Sequence, residues 1–464
     1  MTVPALQQLL ERCAAAVGVG TGALELTGRP ALESFYPVSA LATASVAVAG
    51  LAAADVLDAL GMPPRTVAVD RGLADAWFGL ALRPVGWELP SPWDPIAGDY
   101  RTLDADGSPG WIRLHTNAPH HRAAALGVLA VPIVPGAPPD RAAVAGAVAR
   151  WTAGELEAAV VTAGGCAAEL RTPAAWAAHP QGAAVASEPL IAVERTDRDA
   201  APSAWRPTPV RPLAGVRVLD LTRVLAGPAA TRFLAGLGAE VLRIDPPDWD
   251  EPGVVPEMTV GKRAARLDAR DPAGRERLLD LLAGADVLVS GYRADALDGL
   301  GLGEEVRRGI RPGLVDVSLD AYGITGPWAN RRGFDSLVQM SSGIAAAGLL
   351  DGSADRPTPL PVQALDQATG YLLAAASLAG LAARLRDGVG SRSRLSLART
   401  AVELEAARGL EVDAAAPARD YPRTPLATPW GAAELLPAPL SIDGAPLEWV
   451  LPPRPLGADE ARWA

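Results

Sequence analysis

The 464-residue chain is predicted to be α/β, with a Rossmann-like, doubly wound parallel sheet domain and a smaller α+β domain beside it. Three observations carry that prediction. Beyond residue 212, short apolar runs alternate with helical segments, as in a parallel sheet covered on both faces. Residues 196–212, TDRDAAPSAWRPTPVRP, mix Pro, Asp and Arg without periodicity and read as a linker. The length also exceeds what one hydrophobic core ordinarily organises.

Taken in order, residues 1–95 are Ala-rich and helical, and 96–195 form a small mixed domain with a strand-like GWIRLH at 110–115. After the linker, VRVLDL (216–221) suits a strand buried on both faces. A helix over 229–237 stops at Gly238, and AEVLRID (239–245) is the next strand. Asp271 and Pro272 form an N-cap and first-turn pair for a helix reaching about residue 282. Strands over 286–290 and 314–319 complete the large domain, 213–410, and a tail of 411–464 follows. Right-handed crossovers place ligands at the carboxyl ends of the strands, in the loops 222–228, 291–295 and 320–327. The first of these, TRVLAGP, lacks the three glycines of a dinucleotide fingerprint, which disfavours an ordinary NAD enzyme.

With 42 Lys and Arg against 53 Asp and Glu, the formal net charge is −11. The chain thus lacks the basic excess that holds nucleic acid or an anionic membrane, and anionic ligands must be met by a few placed arginines. Cys13 and Cys166 give neither a disulfide framework nor metal-ligand spacing, and read as buried thiols. The apolar stretch 38–54 is mostly Ala, Val, Ser and Thr and reads as a buried helix. No basic leader precedes the first apolar residues, so a cytoplasmic address is expected.

One pattern occurs twice. Residues 361–381 read PVQALDQATGYLLAAASLAGL and residues 37–52 read PVSALATASVAVAGLA, so Asp366 falls opposite Ala42. A carboxylate at the head of an apolar helix gains from the unpaired N–H groups there. By spacing alone, both an N-cap aspartate and a working nucleophile fit. Gly370 leaves room for close approach of either substrate or backbone.

Residues 213–245, 261–302 and 321–348, followed by PVQALDQATG (361–370), together resemble the family III CoA-transferases, the CaiB/BaiF family. The resemblance covers roughly residues 211–400 in unbroken order. It implies transfer of coenzyme A from an acyl-CoA to a carboxylic acid, with Asp366 as covalent nucleophile. Coenzyme A is then a substrate held on the Rossmann-like domain, with no permanently bound cofactor, and a homodimer of interlocked chains is expected.

The basic residues Lys262, Arg263 and Arg293 at strand ends suit the phosphates of coenzyme A, with solvated surface charge as the alternative. Ala226, Gly227 and Tyr292 in the adjoining loops complete the expected nucleotide contacts. Three positions depart from the family pattern: Pro246 and Gly299 stand where basic residues are frequent, and Gly291 replaces a common asparagine. Glycines in 322–326 and 341–343 are candidate oxyanion donors.

Racemases of the same superfamily carry a His-Asp pair in the block that here reads Arg332-Gly333-Phe334-Asp335. Phe334 has no titratable proton, which argues against racemisation, and Asp335 is expected to be structural. All four histidines, His115, His120, His121 and His179, lie in the front half. For His120 and His121, surface, N-cap and substrate-contact roles stay open.

The front half resembles the part of a family member that follows the catalytic aspartate. The tail from Thr428 restarts the same pattern, so the chain resembles a circular permutation whose small domain reaches the large one from the N-terminal side. Ala42 excludes the covalent step in the first copy, leaving it to complete the fold and wall the site. A CoA-transferase, another acyl-CoA enzyme of this fold and a catalytically weak CoA-binding subunit are the three function classes that remain.

Overall fold

The computed structural model describes residues 3–103, 109–133, 139–198, 205–293 and 295–464, and in it the strand–helix alternation becomes one seven-stranded sheet. Its strands are β1 (Ala192–Arg198), β2 (Arg217–Leu221), β3 (Glu240–Asp245), β4 (Arg263–Arg266), β5 (Val287–Ser290), β6 (Val315–Asp320) and β7 (Val389–Ser396). The spatial order is β4-β3-β2-β5-β6-β7-β1. All neighbours run parallel except the edge pair β7/β1. Every residue of β5 (VLVS) is buried, as suits a mostly apolar strand between two helical layers. The order reverses between β2 and β5, and a crevice opens at such a switch point beyond the carboxyl ends of the strands.

The α/β class with a parallel sheet is therefore as predicted, while several bounds differ. The helix after β2, α2 (Ala226–Gly236), begins three residues earlier than expected. Pro228 sits in its first turn, where its missing N–H breaks no helical bond. Residues 196–198 of the predicted linker belong to β1, whose polar sequence becomes a strand because β7 supplies an antiparallel partner. Gly261, at φ +80°, turns the chain toward β4, so Arg263 stands at the start of a strand. Residues 199–204 of the linker, 104–107 of the small domain and position 294 of the second strand-end loop lie outside the described residues.

The two copies of the repeated pattern form long helices, α1 (Val38–Ala59) and α3 (Ala364–Asp387), that pack against each other through the core. Each is long and apolar enough to cross a bilayer, yet 89% and 83% of their apolar windows are buried within the protein. Gly370 lets α3 approach α2: a Cβ there would stand 2.5 Å from the carbonyl oxygen of Ala226. The reading of Gly370 as a backbone-contact glycine is the one the packing uses.

The small domain has its own core, with Ile96, Ile112, Leu126, Val148 and Leu156 among its buried residues. The tail joins the halves: Leu440–Ile442 pairs with Val67–Asp70 and Gly431–Leu435 with Leu82–Pro84. Trp449 stacks on Trp77 at 5.2 Å and donates to the carbonyl of Arg232 on α2. Cys13 and Cys166 are buried free thiols, each pushed up to about 12 chiefly by burial.

Candidate active site

At the switch point the loop after β2 meets the loop after β5. Arg223, Val224 and Ala226 from the first and Gly291, Tyr292 and Arg293 from the second line a cavity of about 290 Å³. Val224 holds φ at +65°, a conformation that β-branched residues rarely adopt, while its N–H donates to Glu251 Oε2 at 3.0 Å. The Arg223 guanidinium lies 4.3 Å from the Trp249 ring centroid and 5.0 Å from that of Tyr292. Arg331 and Arg332 line the same cavity, making it markedly basic.

A second cavity, of about 640 Å³, adjoins the first and is mostly apolar. Its walls come from residues 78–94 and 115–118 of the front half and from the segment 249–258 and the start of α3. Asp366 lines both cavities, as do Val224, Trp249 and Phe334. The carboxyl therefore stands where the basic and the apolar chambers meet.

Asp366 occupies the first turn of α3 and is only 8% exposed. Its main-chain N–H donates to Asp335 Oδ2 at 2.9 Å, and Asp335 Oδ1 accepts from Gln339 Nε2 at 2.5 Å. Burial, and then the charge of Asp335, hold the Asp366 carboxyl well above the usual carboxylate range. Asp335 is itself pushed up to about 6, by burial first. The sequence reading expected the helix N-terminus to favour the anion; desolvation and a like charge outweigh that modest dipole contribution. Nearby Asp320, at the end of β6 and lining the basic cavity, is pushed up to about 7 by burial.

Of the residues expected to contact the nucleotide, the structure gathers Ala226, Tyr292 and Arg293 around the basic cavity, together with the expected nucleophile Asp366. Lys262 is not among them. It is completely buried, with Nζ donating to Asp220 at 3.1 Å, to the carbonyl of Pro228 at 2.8 Å and to Thr231 at 2.5 Å, so no donor is left for a phosphate. Arg263 points to the tail, donating to the carbonyls of Arg462 and Glu460. Gly227 is closed off by Thr222, whose side chain would lie 2.3 Å from an added Cβ.

The candidate oxyanion glycines are spent on packing. Gly323 donates its N–H to Asp320 at 2.6 Å, and Gly326 closes against Gln181, whose amide clamps the loop through the carbonyls of Tyr322 and Thr325. Gly343, at φ +84°, closes on Pro173. Pro246 and Gly299 line neither cavity, whereas Gly291 does.

Sequence reasoning missed Arg223, Arg331 and Arg332 as cations of the site, although Arg223 stands in the strand-end loop TRVLAGP. It also missed how the front half enters. His115 stacks on Phe334 at 3.6 Å, and His121 lies edge-on to the same ring at 5.9 Å. Burial, followed by neighbouring positive charge, lowers both imidazoles to about 3, so both are neutral. His120 and His121 line the basic cavity and His115 the apolar one. His179 caps the helix Pro180–Ser187 instead, accepting from the N–H of Gln181.

A family model described as CoA-transferase family III matches residues 213–430. The succinyl-CoA:glutarate CoA-transferase of Mus musculus is 38% identical over 195 residues, covering 39% of this chain and 44% of the relative. A probable fatty acyl-CoA transferase of Mycobacterium tuberculosis is 34% identical over 212 residues, covering 43% of this chain and 53% of the relative. A solved CAIB/BAIF family protein from Brucella suis is 29% identical with a TM-score of 0.38, covering 48% of this chain and 65% of that one. The chain spans about half the length of the curated relatives it matches.

Proposed function

We propose, on the premise of the match between residues 213–430 and CoA-transferase family III, that the chain transfers coenzyme A from an acyl-CoA to a carboxylic acid through Asp366. The observation that carries the reading is the place of Asp366, a buried carboxyl open both to a basic cavity and to an apolar one. A CoA thioester has that same polarity, with phosphates at one end and an acyl group at the other.

In the proposed cycle a carboxylate oxygen of Asp366 attacks the thioester carbonyl and the C–S bond breaks, giving an aspartyl–acyl anhydride and CoA thiolate. The thiolate attacks the aspartyl carbonyl, releases the first carboxylic acid as its anion and leaves an aspartyl-CoA thioester. An acceptor carboxylate then reverses the two exchanges, leaving with coenzyme A and restoring Asp366. Each step exchanges one acyl bond for another, so no ATP is needed. Arg223 and Arg293 are suited to the phosphates, and Asp335 fixes the turn that carries the nucleophile. Phe334 fills the position a proton-shuttling histidine would need, which disfavours a racemase.

The front half of the chain lines both cavities opposite the large domain. Residues 78–94 and 115–121 thus supply an opposing wall; sedimentation would test the homodimer expected from the resemblance. The central experiment is mass spectrometry after incubation with acyl-CoA and then hydroxylamine or borohydride. A modification at Asp366, absent from Asp366→Asn, is the expected result; an unmodified Asp366 in a protein that turns over would refute the proposal.

A further inference from the structure

Resting on the CoA-transferase reading above, we propose that the acyl group handled at Asp366 is an uncharged hydrocarbon, aliphatic or aromatic, and that dicarboxylic acyl groups are disfavoured. The cations of the site lie on one side only: Arg223, Arg293, Arg331 and Arg332 line the 290 Å³ cavity, and no lysine or arginine lines the 640 Å³ cavity among the described residues. Phosphates are drawn to the basic chamber. With the thioester carbonyl at Asp366, the acyl end then extends into the larger chamber. Phe78, Leu80, Leu89 and Trp93 of the front half face Val254 and Met258 of the large domain there, in a volume typical of small-molecule sites.

The second carboxylate of a dicarboxylic acyl group would lose water in this chamber and meet acids as the charged groups of its wall, with Asn117, Gln363 and Gln367 as neutral polar neighbours. Asp94, Asp250, Glu251, Glu257 and Asp335 all line it, beside Asp366 itself. A carboxylate that gives up its water here gains no cation in return, because the arginines behind the wall are already held by Asp94, Glu251 and Glu257, and the wall thereby rejects it.

Four of these acids are already engaged from behind and make no site for a cationic acyl group, while the fifth, Asp250, is exposed to solvent and accepts from the N–H of Glu251 at 2.9 Å. Glu257 is paired with Arg232 at 2.7 Å, Asp94 with Arg122 at 2.8 Å, and Glu251 with Arg243 at 2.5 Å. Asp335 accepts from Gln339 and from the N–H of Asp366. Two aromatic rings that could face a quaternary ammonium also carry guanidinium groups, Arg113 over Trp93 at 5.2 Å and Arg223 over Trp249 at 4.3 Å. An apolar, neutral occupant remains.

The test is calorimetric titration of the full chain with hexanoyl-CoA, succinyl-CoA and 4-(trimethylammonio)butyryl-CoA, with hydroxylamine trapping of each mixture in parallel. Hexanoyl-CoA is expected to bind at least about tenfold more tightly than either charged thioester. Equal or tighter binding of succinyl-CoA, or of the ammonium compound, overturns the proposal. Leu80 is 57% exposed at the rim of the larger chamber, where an arginine can be introduced without disturbing the core. Leu80→Arg should improve succinyl-CoA binding severalfold; unaltered binding of succinyl-CoA counts against an acyl end in that chamber. Failure to trap any adduct at Asp366 would remove the transferase reading, while the order of the three affinities still decides the acyl class.

Discussion

The main-chain N–H of Asp366 donates to the Asp335 carboxylate at 2.9 Å, tying the head of α3 to the helix Asp335–Ser341 and setting two buried carboxyls against each other. The bond orients the turn, and the charge of its acceptor opposes ionisation of the side chain it orients.

Asp335→Asn should separate these two effects, since the amide oxygen can still accept from the Asp366 N–H while the negative charge is gone. Asp366 then ionises more readily, and the acid limb of the pH profile for adduct formation moves to lower pH. The profile is read by trapping with hydroxylamine across pH 4–9. A limb that stays in place would show that the charge of Asp335 does not act on the nucleophile.

Asp366→Asn should abolish transfer, by at least ~10³-fold, as loss of a covalent nucleophile does. It should also stabilise the fold at neutral pH. Both carboxyls titrate above their ordinary value in the folded state, so the native protein holds protons that the unfolded chain releases near pH 4. Their contribution to stability is fully present below about pH 4 and is lost as pH rises through the folded values, about 6 for Asp335. The melting temperature of Asp366→Asn should therefore gain on the native protein as pH rises from 4 to 8. A constant or shrinking difference would contradict this electrostatic account.

Arg223 and Lys262 should behave in opposite ways. Arg223→Ala removes an aromatic-stacked cation from the basic cavity, and the KM for acyl-CoA is expected to rise about tenfold or more, a phosphate contact being a hydrogen bond to a charged group worth ~1.5–3 kcal/mol. The KM for the acceptor acid should change little. Lys262→Met leaves Asp220 buried without its ammonium partner and should destabilise by ~3–5 kcal/mol, with the acyl-CoA KM of the folded fraction unchanged. Denaturant titration and steady-state kinetics on both variants check the pair.

Gly370→Ala should weaken the contact between α2 and α3. Alanine gains up to ~1 kcal/mol in helix propensity. Its Cβ, however, would lie 2.5 Å from the Ala226 carbonyl and 3.0 Å from Ala229 Cβ, and overpacking of this kind costs ~1–3 kcal/mol. A lowered denaturant midpoint is expected, with a raised acyl-CoA KM because Ala226 lines the basic cavity. An unchanged midpoint would mean that the helices adjust freely.

Much of this was legible in the chain before any coordinates. The apolar run VRVLDL declared a strand buried on both faces, AEVLRID beyond Gly238 declared the next strand, and Asp271 declared a cap that accepts from Ala273 and Gly274. Asp366 was singled out because its counterpart in the repeat, Ala42, is a methyl group in the same setting. Arg223 was passed over because a single arginine in a loop has no pattern, and only the nearness of the β2 and β5 ends gives it Trp249 and Tyr292 to lie on. The front-half walls were equally hidden, since Leu80 and Trp93 reach Asp366 across more than 270 residues of chain.

The sequence by itself determined the alternation that builds a parallel sheet and the acidic residue at the head of a repeated apolar helix, because period and composition are local properties. Only the tertiary structure decided which charges face a cavity. Lys262 is consumed by Asp220 while Arg223 and Arg293 are presented, and the Asp366 carboxyl is set against a second carboxyl. The physical reason is that a charge takes its character from what surrounds it, through desolvation and opposing or like neighbours, and those surroundings are assembled from segments far apart in the chain.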